Sequence, residues 1–141
     1  MIRNLILSTS LLALSAAASA QCTLTVAGTG AAGTALTFTV DGSNLTGFAF
    51  LAIGDTTGTT QIDFGPLGVL SLGLEFPFQA VPIGPTDLQG DASLQIAVPA
   101  TLPASVSLYA QGIPLGIDFT PGGGLPGLDF CSTNVEAFTI G

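Results

Sequence analysis

The sequence predicts an all-β protein, and three observations carry this prediction. Apolar and polar residues alternate with period two in several separate stretches, which is typical of strands with one face on a core. Glycine- and proline-rich turn signals separate these stretches, and no segment shows a sustained helical period. Together the observations indicate a single antiparallel β-sandwich, Ig-like or jelly-roll-like, of about eight strands.

Four stretches show the alternation most clearly and are predicted as half-buried strands. They are residues 23–26, 36–40, 93–98 and 105–108. In the second of them, Leu36, Phe38 and Val40 point one way and the threonines between them point the other way. We expect the apolar set of each strand to face the core.

Four further stretches complete the predicted strands. Residues 48–53 are apolar on both faces, which is typical of an interior strand. A second interior strand is predicted where one face is lined by Leu70, Leu72, Leu74 and Phe76. Shorter strands are predicted at Ile62 with Phe64 and at residues 135–140. Turns are expected at Asp41-Gly42, Gly54-Asp55, Gly65-Pro66, Gly84-Pro85 and residues 121–124.

The first 20 residues have the layout of a secretory signal peptide. Arg3 supplies the positive charge, an apolar stretch follows over residues 5–14, and small residues lead to Ala20. Cleavage is therefore expected between Ala20 and Gln21. A retained membrane anchor is the alternative, but the apolar stretch is well under the roughly 18 residues that a spanning helix needs. A lipoprotein is disfavoured because Gln21, which precedes Cys22, is not the small residue that such processing requires.

Residues 21–141 are then the size of one ordinary domain. Removal of Arg3, the only basic residue, changes the formal net charge from −8 to −9. Every side-chain charge that remains is negative, so nucleic acid and anionic lipid are excluded as partners on electrostatic grounds. We expect no membrane insertion after cleavage and a secreted or cell-surface location.

Cys22 and Cys131 are the only two cysteines, and they lie near the two ends of the predicted domain. In an exported chain such a pair predicts a structural disulfide rather than a redox or zinc site, because neither cysteine has the Cys or His neighbours that zinc requires. The bond would close nearly the whole domain into one loop.

The residue types offer little for catalysis, and we expect no enzyme. The predicted domain has no His or Lys and a single Tyr, which leaves its carboxylates. Two carboxylates facing each other over a cleft could hydrolyse a glycosidic bond. Most of them, however, lie in or beside turn signals, where an acidic side chain usually caps the turn and keeps it soluble.

No cofactor is expected, and calcium is the one metal that this composition could bind. The candidate loops are residues 41–44 and 87–91, each rich in oxygen ligands but without a complete ligand spacing. A sugar-binding module is disfavoured by the absence of Trp, although it remains an alternative.

The last third of the chain carries three short motifs, residues 102–111, 132–134 and 139–141. In these motifs the chain resembles the small secreted β-sandwich modules found at the C-termini of many bacterial exoproteins. The resemblance covers the final forty residues or so and implies the fold and export, with a weak indication of an accessory role. It implies no activity.

These observations predict a non-catalytic structural or interaction protein of the cell surface or extracellular matrix, whose partner is a protein or an extracellular polymer. The alternative is a carbohydrate-binding or calcium-dependent lectin-like module. Because Asp and Glu side chains ordinarily titrate near pH 4, acid should remove almost all of the net charge. Self-association at low pH is therefore expected.

Overall fold

The computed structural model describes residues 22–118 and 127–141, with the backbone alone for residues 117 and 118. The predicted signal peptide, its cleavage site at Ala20 and Gln21, and the turn predicted at 121–124 lie outside the described residues. The strands are β1 (Thr23–Ala27), β2 (Ala35–Asp41), β3 (Gly47–Gly54), β4 (Thr57–Asp63), β5 (Val69–Leu74), β6 (Gln79–Pro85), β7 (Asp91–Ala97), β8 (Val106–Asp118), β9 (Gly127–Phe130) and β10 (Val135–Ile140).

The strands form two packed sheets and a separate hairpin, and all pairings are antiparallel. The three-stranded sheet has the order β1-β2-β7. The five-stranded sheet has the order β10-β8-β3-β6, with β9 paired to the far half of β8. This arrangement confirms the predicted all-β antiparallel sandwich.

The inner core lies between the two sheets. Its buried side chains come from alternate positions of the facing strands, as the period-two pattern predicted: Leu24, Leu36, Phe38, Val40, Leu51, Val98 and Ala110. Phe38 packs edge-on against Phe138 of β10, with ring centroids 5.3 Å apart. The apolar faces of β1, β2 and β8 are therefore buried against one another.

The hairpin β4-β5 covers the outer face of the five-stranded sheet. A second buried cluster joins Leu70, Leu72 and Leu74 of β5 to Ala52 of β3 and Ile113 of β8. Neighbouring residues of β3 thus face different layers, because Leu51 belongs to the inner core and Ala52 to the outer cluster. This is why residues 48–53 are apolar on both faces.

The described residues form ten strands, two more than the sequence predicted, and the additional strands are β6 and β9. Pro82 and Gly84 interrupt the apolar alternation of β6, and the pairing of β6 with β3 shifts register opposite Ala49 and Phe50. Proline is tolerated there because β6 is the edge strand of its sheet. The prediction of a turn at Gly84-Pro85 was therefore wrong.

Phe76 also differs from the prediction. Strand β5 ends at Leu74, and Phe76 is 70% exposed beside the cis peptide bond that joins it to Pro77. Proline cannot donate a ladder hydrogen bond, so the strand pattern does not continue through this segment.

Candidate functional site

The predicted disulfide joins the two sheets at one end of the sandwich. Cys22 immediately precedes β1 and Cys131 immediately follows β9, and their Cα atoms are 6.4 Å apart. The backbone N–H of Cys131 donates to the carbonyl of Pro114 at 3.3 Å, which fixes the segment to β8. We call this the disulfide end. Such a bond is typical of proteins in an oxidising compartment.

A buried polar network connects Gln111 of β8 to the segment that follows Cys131. Gln111, which is 4% exposed, accepts a hydrogen bond from the backbone of Gly73 at 2.8 Å through Oε1. Its Nε2 donates to the carbonyl of Thr133 at 2.7 Å. Because Gly73 lies on β5 and Gln111 on β8, this side chain joins the hairpin to the five-stranded sheet.

The segment between β9 and β10 continues the network towards the three-stranded sheet. The Thr133 hydroxyl accepts from the backbone of Gly112 at 2.8 Å and donates to the carbonyl of Asn134 at 2.8 Å. The Asn134 amide pairs with both backbone groups of Leu24, at 2.9 and 3.1 Å. All three layers are therefore joined by side-chain amides and hydroxyls. Among the described residues, no buried side-chain nitrogen or oxygen lacks a partner.

The sequence analysis did not assign this role to Gln111. The signal that could have found it is a single amide side chain within the otherwise apolar middle of β8. Thr133 and Asn134 belong to a motif that carried the family resemblance, and the structure gives that motif a physical role in joining the layers.

The two loops considered for calcium meet at the disulfide end. Asp41 and Asp91 are Cα partners in the β2-β7 pair. The loops are held by backbone hydrogen bonds from Gly42 to Gly90 at 2.9 Å and from Asn44 to Gln89 at 2.7 Å. The sequence had suggested each loop separately as a calcium candidate. The two loops lie together because of the register between β2 and β7, which are distant in the chain.

The carboxylates in these loops hold the turns. Asp87 Oδ1 accepts from the backbone of Gln89 at 2.9 Å and from that of Asp91 at 2.8 Å. Asp41 Oδ1 accepts from the backbone of Ser43 at 2.9 Å. These are the turn-capping roles that the sequence favoured for acidic residues beside glycine.

The surroundings of Asp91 affect the protonation of its carboxyl group. Its partial burial raises its pKa above the ordinary value. The nearby carboxylates of Asp41 and Asp87, and a hydrogen bond with Asp41, raise the pKa further. In the described ranges, no group of three or more His, Cys, Asp or Glu side chains is arranged to hold a metal ion.

The outer face of the three-stranded sheet carries a row of polar side chains on each strand. We call it the hydroxyl face, and it comprises Thr23, Thr25, Thr37, Thr39, Ser93 and Gln95. Thr25, Thr39 and Ser93 are successive partners across the three strands, and the hydroxyls of Thr39 and Ser93 lie 3.0 Å apart. The face carries charge only where β2 and β7 reach the disulfide end.

A cleft of about 500 Å³ opens at the other end of the sandwich. Its apolar lining includes Ile53, Val81 and Leu108, and its polar lining is Asp55 and Gln79. A smaller cavity of about 140 Å³ adjoins the cleft, because Ile53 and Leu108 line both. No pattern in the sequence predicted this cleft, which forms where strands from distant parts of the chain end together.

The carboxylates are not gathered at the cleft, which has Asp55 as its one acidic lining residue. Two facing carboxylates, the arrangement that glycoside hydrolysis uses, are therefore not found in the lining of this cleft.

No family model, curated protein or solved structure matches this chain. Within residues 22–118 and 127–141, no helix is long and apolar enough to cross a membrane.

Proposed function

We propose that the mature chain is a non-catalytic secreted protein that acts by contact, as a structural or interaction protein of the cell surface or extracellular matrix. The observation that carries the proposal is the hydroxyl face. The hairpin covers the outer face of the five-stranded sheet over β3 and β8, whereas the hydroxyl face has exposed or half-buried side chains along all three strands. A polar sheet face of this kind suits another extended surface.

The chemistry of the hydroxyl face favours an uncharged partner surface. Threonine and serine hydroxyls can both donate and accept hydrogen bonds, and the threonine methyl groups add apolar contact. Every side-chain charge of the mature chain is negative, so an anionic polymer would be repelled. The proposed partner is therefore a protein or a neutral extracellular polymer, and neither nucleic acid nor an anionic membrane.

Two features support secretion. Residues 1–20 have the charge and hydropathy layout of a signal peptide. The disulfide between Cys22 and Cys131 is of the kind that persists in oxidising compartments. Both features agree with a protein that acts outside the cell.

The test is co-sedimentation of the purified mature protein with insoluble extracellular matrix from the secreting cells. The double variant Thr25→Asp/Ser93→Asp adds two charges to exposed positions of the hydroxyl face. Its matched control, Thr57→Asp/Thr59→Asp, adds the same charges to exposed positions of β4. We expect the face variant to lose about tenfold in binding, because the desolvation of added carboxylates against an uncharged surface costs about a kcal/mol or more, and the control to bind as wild type does.

Wild-type protein that stays in the supernatant would contradict the proposal. So would equal losses in the two variants, because the effect would then come from net charge alone.

A calcium-dependent sugar-binding module is the second candidate, and the meeting of the loops around Asp41 and Asp91 favours it. Calcium accepts carboxylate and carbonyl oxygens, both of which these loops offer. A glycan array run with calcium and with a chelator separates the two candidates. The first candidate predicts no calcium-dependent signal, whereas the second predicts one that the chelator abolishes.

A further inference from the structure

The cleft opposite the disulfide end has the features of a small-molecule site. Its volume, about 500 Å³, lies in the range of ligand pockets, and its lining is mostly apolar with few polar groups. We infer that this cleft binds a small cationic amphiphile, with the apolar part of the ligand against Ile53, Val81 and Leu108 and its ammonium group beside Asp55.

The side chains around the cleft would contact the apolar part of the ligand. Ile53 is the last large side chain of β3, and Leu108 lies near the start of β8, on the strand that pairs with it. Both side chains also line the smaller inner cavity, together with Phe38 and Phe138. The cleft and the inner cavity are therefore adjacent, and an apolar chain in the cleft would lie against side chains that also line the cavity. Burial of such a chain would drive binding.

The charge of the cleft determines which head group it would accept. Asp55 accepts a hydrogen bond from the Thr56 hydroxyl at 3.0 Å, and the mature chain has no Lys, Arg or His that could neutralise its carboxylate. An anionic amphiphile would meet Asp55 and a net charge of the same sign. A cation would be attracted by both.

An exposed aromatic ring adds to the preference for a cation. Phe76 is 70% exposed, and its neighbour Pro77 lines the cleft. The ring packs edge-on against Phe78, another lining residue, with centroids 5.2 Å apart. The free face of an aromatic ring attracts an ammonium group. Phe76 and Asp55 thus provide two attractions for a cation near the same cleft.

The experiment compares three probes that share one alkyl chain: octylammonium, octanol and octanoate. Each is titrated into the disulfide-bonded mature protein at pH 7, with binding followed by calorimetry and by chemical shifts. We expect octylammonium to bind about three- to tenfold more tightly than octanol, the range that one exposed ion pair and a cation–π contact provide. Octanoate should bind most weakly.

Two pairs of variants assign the binding to the cleft. Asp55→Asn should remove most of the preference for octylammonium over octanol and leave only the part that Phe76 provides, whereas Asp63→Asn, which removes the same charge on β4, should keep the whole preference. Leu108→Phe should weaken all three probes by filling the cleft, whereas Val69→Phe at an exposed position of β5 should not.

Equal affinity of the wild-type protein for octanol and octylammonium would overturn the inference. The absence of saturable binding, or equal losses in Asp55→Asn and Asp63→Asn, would do so as well. These outcomes are independent of binding to extracellular matrix, which tests the proposed function on a different surface.

Discussion

Gln111, Thr133 and Asn134 illustrate how single residues stabilise a domain that has no basic side chain. With no Lys, Arg or His in residues 21–141, no side-chain ion pair can link the layers of this domain. Amide and hydroxyl groups make the polar links instead, and each pairs with backbone groups of a neighbouring element. A buried polar group in such a network is costly to leave unpaired.

Thr133→Val should therefore destabilise the protein while keeping the shape of the side chain. The substitution leaves the backbone N–H of Gly112 without its acceptor in a buried position. We expect the free energy of unfolding to fall by about 1–3 kcal/mol. Urea denaturation measures the change, with Thr59→Val at an exposed position of β4 as the matched control. A loss no greater than that of the control would show that the network does not contribute.

Asp91 provides a prediction with a definite sign. Partial burial and the neighbouring carboxylates raise its folded-state pKa, so the folded protein binds its proton more readily than the unfolded chain does. The ionised group is therefore unfavourable at neutral pH, and this cost disappears as the pH falls through the folded pKa. Asp91→Asn should raise the denaturation midpoint at pH 7, and the gain should shrink as the pH approaches 4.

Asp129→Asn on β9 removes the same formal charge from an exposed position and serves as the control. If both variants gained equally at pH 7, relief of overall repulsion would explain the result without any role for the surroundings of Asp91.

At the scale of elements, the hairpin β4-β5 makes the sandwich a three-layered structure. The buried leucines of β5 pack on Ala52 and Ile113, and the backbone of Gly73 reaches Gln111. The tip of the hairpin remains more exposed, since Leu67 and Val69 are 48% and 51% exposed. Docking therefore depends on one face of β5.

Leu72→Ala should test how much this docking stabilises the domain. Leu72 is 2% exposed, and truncating such a side chain typically costs about 2–5 kcal/mol. Val69→Ala on the same strand removes an exposed side chain and should cost less than about 1 kcal/mol. Equal and small effects in denaturant unfolding would mean that the hairpin is not docked in solution.

The strands that the sequence predicted most clearly are those whose side chains alternate between one core and solvent, as in β2. Strand β6 could not be predicted because Pro82 and Gly84 break its pattern, and an edge position tolerates them. The apolar character of β3 on both faces predicted an interior strand but could not identify the hairpin as its outer cover. That information lies in packing between residues that are distant in the chain.

The hydroxyl face and the cleft could also be predicted only in part from the sequence. The threonine pairs of β1 and β2 were visible in the sequence as solvent-facing residues. Their alignment with Ser93 into one face requires the register between β2 and β7, which joins residues more than fifty positions apart. The cleft at Ile53 and Leu108 likewise depends on where β3 and β8 end together. Local sequence patterns therefore predicted most of the strands, but they did not predict the hydroxyl face or the cleft.

At the scale of the whole molecule, the disulfide closes a loop across a sequence separation of 109 residues. In the chain-entropy model a loop of this length stabilises by about 4–5 kcal/mol. The double variant Cys22→Ser/Cys131→Ser should lower the free energy of unfolding by about that amount, as measured in denaturant. Mass spectrometry of the wild-type protein should show a monomer with both thiols oxidised. Free thiols or a reducible dimer would contradict the intramolecular bond.

Net charge is the second property of the whole molecule that gives a prediction. Residues 21–141 have nine side-chain carboxylates and no basic side chain, so in a chain cleaved before Gln21 protonation in acid would leave only the charge of the terminal amine. An ordinary protein becomes positively charged below its isoelectric point and repels its copies again. This chain cannot do so, and its sheet edges at β1, β6 and β7 then meet without electrostatic repulsion.

Self-association should therefore begin as the pH falls below about 4 and should persist down to pH 2. Dynamic light scattering of the mature protein from pH 7 to pH 2 measures it. The triple variant Thr25→Lys/Thr57→Lys/Ser107→Lys places positive charges at three exposed positions, and it should return to a monomer at pH 2 because repulsion is restored.

A wild-type particle that stays monomeric throughout would show that the edges are protected by structure rather than by charge. Association of the triple variant at pH 2 to the same extent as wild type would show that charge does not control it.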